Sequence, residues 1–149
     1  MASTEQANKE ANKEVVRQLI DAWNGGDLAA MTRFWAPEMV HHGRDGERLP
    51  AVDVAAEMSR FMQAFPDLRL VVHSLVAEGD LVATRLTVEG THKGEYLGLA
   101  PTGRRVRCPL LGQLRLADGR VVEHWGVADG LYLLEQLGLL PPELLRATA

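Results

Sequence analysis

The spacing of apolar residues changes once along this chain, at Pro66-Asp67, and that change limits the folds open to it. Before it, apolar side chains recur every three to four residues, as on a helix. After it they alternate, as on a strand. Val15, Val16, Leu19, Ile20 and Trp23 form the stripe of a first helix, with Arg17, Gln18 and Asp21 turned away. Gly25-Gly26 stops that helix, and Asp27 reads as the N-cap of a short second one from Leu28 to about Phe34, ended before Pro37. Met39 to Gly43 is a short strand candidate, and a polar loop follows through Asp45-Gly46. The next stripe, Ala51, Ala55, Met58, Met62 and Phe65, predicts a third helix from about Pro50 to Phe65. NKE occurs at Asn8 and again at Asn12, a local echo inside one helix rather than a domain repeat.

Beyond the switch, Leu68 to Ala77 and Leu81 to Glu89 read as strands joined at Glu78-Gly79-Asp80. Arg105 to Leu116 and Arg120 to about Val127 form a second pair, joined at Asp118-Gly119. These connections are too short for parallel crossovers, so the sheet should be mostly antiparallel. A short helix from Leu131 to Leu137 and a Pro141-Pro142 tail close the chain. Early helices and a long twisted sheet predict an α+β fold, the sheet curled around the helices into a cone with a mouth. On Arg105 to Leu116 the even positions Val106, Cys108, Leu110, Gly112, Leu114 and Leu116 are apolar or tiny, so that face should be inside. Pro109 cannot donate a ladder hydrogen bond, which predicts a bulge or an edge there.

A chain of 149 residues suits one domain, able to bury about 68–70% of the surface its unfolded form exposes. A net charge of -4, from 20 acidic and 16 basic residues without a block of either sign, argues against nucleic acid and anionic membrane as partners. Cys108 is the single cysteine, so no intrachain disulfide is possible. The opening MASTEQANKEANKEVV is charged where a signal peptide would be apolar, and no later run is long enough to span a bilayer; a cytoplasmic protein is the expectation. His41-His42 point to opposite faces of a strand and make a poor chelate, and neither HExxH, CxxC nor a glycine-rich phosphate loop occurs. No metal or cofactor is expected.

Four stretches carry a resemblance: AFPDLRL (64–70), AEGDLVATRLTVEGTHKGEYLGLAPTGRRV (77–106), ADGRVVEHW (117–125) and EQLG (135–138). They resemble the SnoaL-like polyketide cyclase family over nearly the whole chain, most specifically in THKGEYLGLAPTGRRV. The resemblance implies a cone-shaped α+β barrel of the nuclear-transport-factor type, oligomeric, with an aromatic polyketide held in the cone. The family's cyclases close a ring by intramolecular aldol condensation, with an acidic residue as base and a histidine nearby. Those two positions fall on Gly126 and Gly112 here, and a glycine has no side chain to move a proton. Related members are associated with hydroxylation, others with pericyclic ring closure.

The remaining candidates for catalysis are His41, His124 and Asp129. His41 stands where the family carries a polar pocket residue, His124 shares the strand parity of Gly126, and Asp129 stands where the family often has an acid. An N-cap role suits Asp129 equally well, and His124 also suits a core position. Trp23, Trp35, Met58, Phe61, Met62, Leu110, Gly112, Leu114 and Gly126 are the candidate pocket wall, with core packing the competing role for the large ones. His42 should be exposed, His92 should hold its loop together, and His73 should lie on the outer face. The expected function is a cofactor-free ring-forming enzyme acting on a polyketide-like molecule. With Gly112 and Gly126 in place of the His/Asp pair, the shape of the apolar cone should do most of the catalysis, by conformational or pericyclic closure. The rivals are a hydroxylase working with a partner reductase and a silent binding module. Val71, Leu75, Leu111 and Trp125 on the outer face predict self-association, a dimer above all.

Overall fold

The computed structural model describes residues 2–145. Helix α1 (Ala2–Asn24) buries Val16, Leu19, Ile20 and Trp23 of the predicted stripe, with Val15 partly covered, and Gly26 leaves it with a φ of 73°. The carboxylate of Asp27 accepts the Ala30 amide at 2.8 Å and starts α2 (Leu28–Thr32). That helix is shorter than expected. The Phe34 carbonyl already accepts the Val121 amide at 2.8 Å, so strand β1 (Trp35–His42) begins earlier than Met39. A 3₁₀ turn (Arg44–Gly46) and a short strand β2 (Arg48–Pro50) occupy the expected loop, and β2 pairs back onto β1. Helix α3 (Ala51–Ala64) follows directly.

Strands β3 (Arg69–Glu78), β4 (Leu81–Thr91), β5 (Arg105–Ala117) and β6 (Arg120–Ala128) match the predicted pairs closely. The β3–β4 loop has Gly79 at a φ of 57°, and the β5–β6 loop has Asp118 and Gly119 at 51° and 73°, the positive angles that tight hairpins require. Helices α4 (Gly130–Gln136) and α5 (Pro142–Leu145) end the described chain. The six strands lie in the order β2-β1-β6-β5-β4-β3, every pair antiparallel except β1–β6. The sheet is therefore mixed and unclosed, with β2 and β3 at its edges, and curves over the helices. α1 packs on β3, α3 on β1 and α4 on β5. No described helix is long and apolar enough to cross a membrane.

The inward parity of β5 holds along its whole length: Val106, Cys108, Leu114 and Leu116 are buried, and Leu110 and Gly112 are partly covered. Pro109 causes no bulge against β4, where Thr87↔Pro109 lies within an unbroken register. Its carbonyl accepts the Asp129 amide at 3.2 Å, on the β6 side. In an antiparallel ladder the N–H and C=O of one residue point the same way, so the missing donor faces the place where β6 has already ended. Phase does change on β3, between Val72 and Ser74. The bulge turns Leu75 inward opposite Thr84, where it packs on the core instead of the outer face, and leaves Val76 64% exposed in its place.

Candidate active site: a histidine pair beside two facing glycines

A second irregularity of the sheet sets the site. The β5–β6 register shifts between Arg115 and Leu116, pairing Leu116 with Val121 but Arg115 with Glu123. The extra residue on β6 moves the inward parity from odd to even. His124 then lies opposite Leu114, and Gly126 opposite Gly112, all on the inner face. On its other side β6 runs parallel to β1 with His41 beside His124. The two rings approach with centroids 4.9 Å apart and a tilt of 43°, and their Nδ1 atoms are 2.9 Å apart.

A contact between two Nδ1 atoms at hydrogen-bond distance needs one proton: one ring donates and the other accepts. The donor ring then keeps a lone pair on Nε2, and the acceptor ring carries its proton there. Burial lowers the pKa of His41, helped by the charge on His42 and opposed by Glu57. Burial first, and His41 second, push His124 down to about 4. Both rings are neutral at neutral pH, and the pair presents one base and one acid.

The facing glycines are fitted to His124. A Cβ on Gly126 would sit 3.5 Å from Cε1 and Nε2 of His124, and a Cβ on Gly112 would sit 3.7 Å from Nε2. At Gly112 that carbon would also stand 2.9 Å from Thr84 Oγ1 and 3.2 Å from the Trp125 carbonyl oxygen, too close for the strand as built. The imidazole edge thus reaches the point from which side chains at 112 and 126 would project.

Asp129 does not join the histidines through its side chain. Its carboxylate accepts the Tyr132 amide at 3.0 Å and caps α4, and the residue is exposed. Trp23 and Leu114 are buried within the core, whereas Trp35, Met58, Phe61, Met62 and Leu110 pack against it with part of their surface free. Trp35 also lines a shallow cavity of about 260 Å³ with Thr32, Pro37, Ala51, Val52 and Ala55. Phe61 and Phe65 lie 4.9 Å apart, and Tyr96 meets both edge-on. Tyr96 lies in a loop without periodicity, so no local pattern in the sequence marks it.

His42 is not the exposed residue that parity alone suggested. On the outer face its Nε2 is 2.8 Å from Glu123 Oε2, its ring stacks on Trp125 at 4.5 Å, and only 18% of its side chain is accessible. The His42 contact, with Arg115 in support, holds the Glu123 carboxyl below its usual range. The sequence shows the parity of His42, Glu123 and Trp125 but not the β1–β6 register that joins them. His92 does hold its loop: its Nδ1 accepts the Thr102 amide at 3.2 Å and lies 3.0 Å from the Thr102 hydroxyl. His73 lies on the outer side, its Nε2 2.7 Å from Thr87 Oγ1.

Known proteins share this fold. A sequence profile of the SnoaL-like polyketide cyclases matches residues 13–137. Aklanonic acid methyl ester cyclase AcmA of Streptomyces galilaeus is 31% identical over 136 residues, 86% of this chain and 91% of that protein. The crystal structure of AclR from Streptomyces galilaeus, a candidate hydroxylase, superposes with a TM-score of 0.85 at 42% identity, covering 89% of this chain and 99% of that one. IdmH from Streptomyces antibioticus, a candidate polyketide cyclase, gives 0.77 at 34% identity, with 85% and 98% covered. The profile spans every element from the stripe of α1 to the end of α4: the chain belongs to the SnoaL-like polyketide cyclase family.

Proposed function

We propose that this chain is a cofactor-free, ring-forming enzyme that acts on a polyketide or a similarly apolar natural-product intermediate held in the cone. The observation that carries the reading is the Gly112–Gly126 notch with the His41–His124 pair beside it, on the inner wall of a cyclase family fold. The glycines remove the family's own acid–base residues. Ring closure then rests on holding the flexible chain in a reactive conformer between the sheet and Met58, Phe61 and Met62, a conformational contribution, with the histidines moving protons. Asp129 serves by fixing the start of α4. Relatives that bear the name aklanonic acid methyl ester cyclase support this chemistry for the present chain.

The second reading, a hydroxylase working with a partner reductase, is favoured by the 42% identity to AclR. A binding module without turnover is the third. Liquid chromatography with mass spectrometry after incubation with aklanonic acid methyl ester separates them, isomers by retention and oxygenated product by mass. Ring closure gives an isomer of unchanged mass with no added protein. A product that gains one oxygen atom, and only with a reductase and oxygen present, would replace our reading with the second; tight binding with no product would replace it with the third. We further propose that the protein works in the cytoplasm as a homodimer joined through the outer sheet face. Val76, Leu111 and Val127 are 64%, 57% and 74% exposed there, around the stacked Trp125.

A further inference from the structure

We propose that His41 and His124 form a proton relay in which a single hydrogen, shared between their Nδ1 atoms, exchanges the roles of acid and base during each turnover. This inference rests on the ring-closing reading and adds to it the path its proton takes.

Three observations carry it. The Nδ1 atoms are 2.9 Å apart, so the hydrogen between them belongs to either ring at little cost in geometry. Nε2 of His124 has no hydrogen-bond partner among the described residues and lies beside the two glycines, 3.5 Å and 3.7 Å from where their Cβ atoms would be. Among the described residues no carboxylate hydrogen-bonds either ring of the pair: that of Glu123 is engaged on the opposite face with His42 and Arg115, and Glu57 acts on His41 only through its charge. The charge a proton transfer creates on His124 therefore meets no hydrogen-bonded carboxylate, as it would in a His–Asp pair, and its way out is the second imidazole, on the side where Glu57 acts.

The relay balances as follows. His124 begins with its hydrogen on Nδ1 and a lone pair on Nε2. That lone pair takes the proton from the substrate carbon, and the C–H electron pair becomes the enolate double bond. As Nε2 gains its proton, the hydrogen on Nδ1 of His124 passes to Nδ1 of His41. His41 releases its own Nε2 hydrogen to the acceptor oxygen, which becomes a hydroxyl when the enolate carbon attacks that carbonyl. One C–C bond forms, one C–H bond becomes O–H, and no net charge remains on the protein. His124 now holds the Nε2 hydrogen and His41 the Nε2 lone pair. Return of the hydrogens through water resets the pair.

Two measurements test the relay. In nitrogen NMR of histidine-labelled protein at neutral pH, it requires a proton on Nδ1 of one member of the pair and on Nε2 of the other. Two rings that both carry hydrogen on Nε2, with none on Nδ1, would overturn it. The second follows deuterium exchange at the carbon next to the carbonyl of α-tetralone, an apolar ketone, in deuterium oxide. We expect the wild type to accelerate exchange, His124→Asn to lose the acceleration by about 100-fold or more, and His41→Asn to lose it by at least about 10-fold. Native circular dichroism in both variants establishes that the fold is kept. Wild-type exchange in His41→Asn, or no acceleration by the wild type, would overturn the relay. Rapid exchange by a protein that closes no ring in a polyketide would instead sink the ring-closing reading and leave the relay standing.

Discussion

Nε2 of His124 stands 3.5 Å from the point where a Cβ of Gly126 would begin. The two residues share one small volume, so the identity of either constrains the other. A Cβ at 126 would already touch the ring of His124, and a carboxylate beyond it would compete with that ring for the same space. Gly126→Asp should therefore displace His124 and add a partly buried charge, and we expect it to lower both stability and turnover rather than restore a conventional cyclase. Thermal unfolding and rate, measured on the same preparation, check this.

At Gly112 the constraint comes from the fold. The added carbon of Gly112→Ala would meet Thr84 Oγ1 at 2.9 Å and the Trp125 backbone oxygen at 3.2 Å, and the backbone has the less freedom to retreat. We expect a loss of about 1–3 kcal/mol in denaturant unfolding, typical of an overpacked interior. Gly126→Ala, whose nearest neighbour is the His124 ring, should cost less. Equal and negligible losses would contradict the close packing of the β5–β6 pair.

Much of this arrangement was legible beforehand. The parity of β5 placed Leu110, Gly112 and Leu114 inside, and the two hairpin turns fixed which strands pair. The bulges were not legible, because an extra residue leaves no mark in a hydrophobic pattern that looks regular on either side; Leu75 was misplaced for that reason. The parallel β1–β6 pairing was hidden too. It joins segments separated by most of the chain, so no local signal encodes that His41 meets His124 and His42 meets Trp125.

The pH dependence of stability follows from the neutral state of His124. Its pKa is pushed from 6.5 in the unfolded chain to about 4 in the folded one. The unfolded state therefore takes up a proton first as pH falls, and stability is lost between those two values. At roughly 1.4 kcal/mol per pH unit the loss approaches about 3 kcal/mol. Removing the group should flatten that part of the curve, so unfolding of His124→Asn should depend less steeply on pH from 6.5 to 4 than unfolding of the wild type. Parallel curves would contradict the burial of this ring.

Asp129 and Asp27 do the same work at two helices, each accepting the amide three residues on. Asn retains that acceptor. Asp129→Asn should keep a near-normal rate and stability, while Asp129→Ala should lose about 1 kcal/mol of stability. An inactive but folded Asp129→Asn would return the carboxylate to the chemistry.

On the outer face, Leu111 and Val127 lie opposite each other on β5 and β6 and are 57% and 74% exposed. If they are covered by a second copy, Leu111→Glu should convert a dimer to a monomer in light scattering at micromolar concentration. A wild type that is already monomeric there would remove the proposed interface.

The account turns on whether the inner histidine pair moves protons or merely fills the space the glycines leave. The most direct test is the rate of ring closure on aklanonic acid methyl ester for wild type, His41→Asn, His124→Asn and His42→Ala, each shown to be folded. The account predicts a fall in kcat of about 100-fold or more in the two inner variants with KM little changed, and a near-normal rate in His42→Ala, whose ring lies on the other face. Wild-type kcat in His41→Asn and His124→Asn would contradict it and leave shape alone, as in a pericyclic closure, to form the ring.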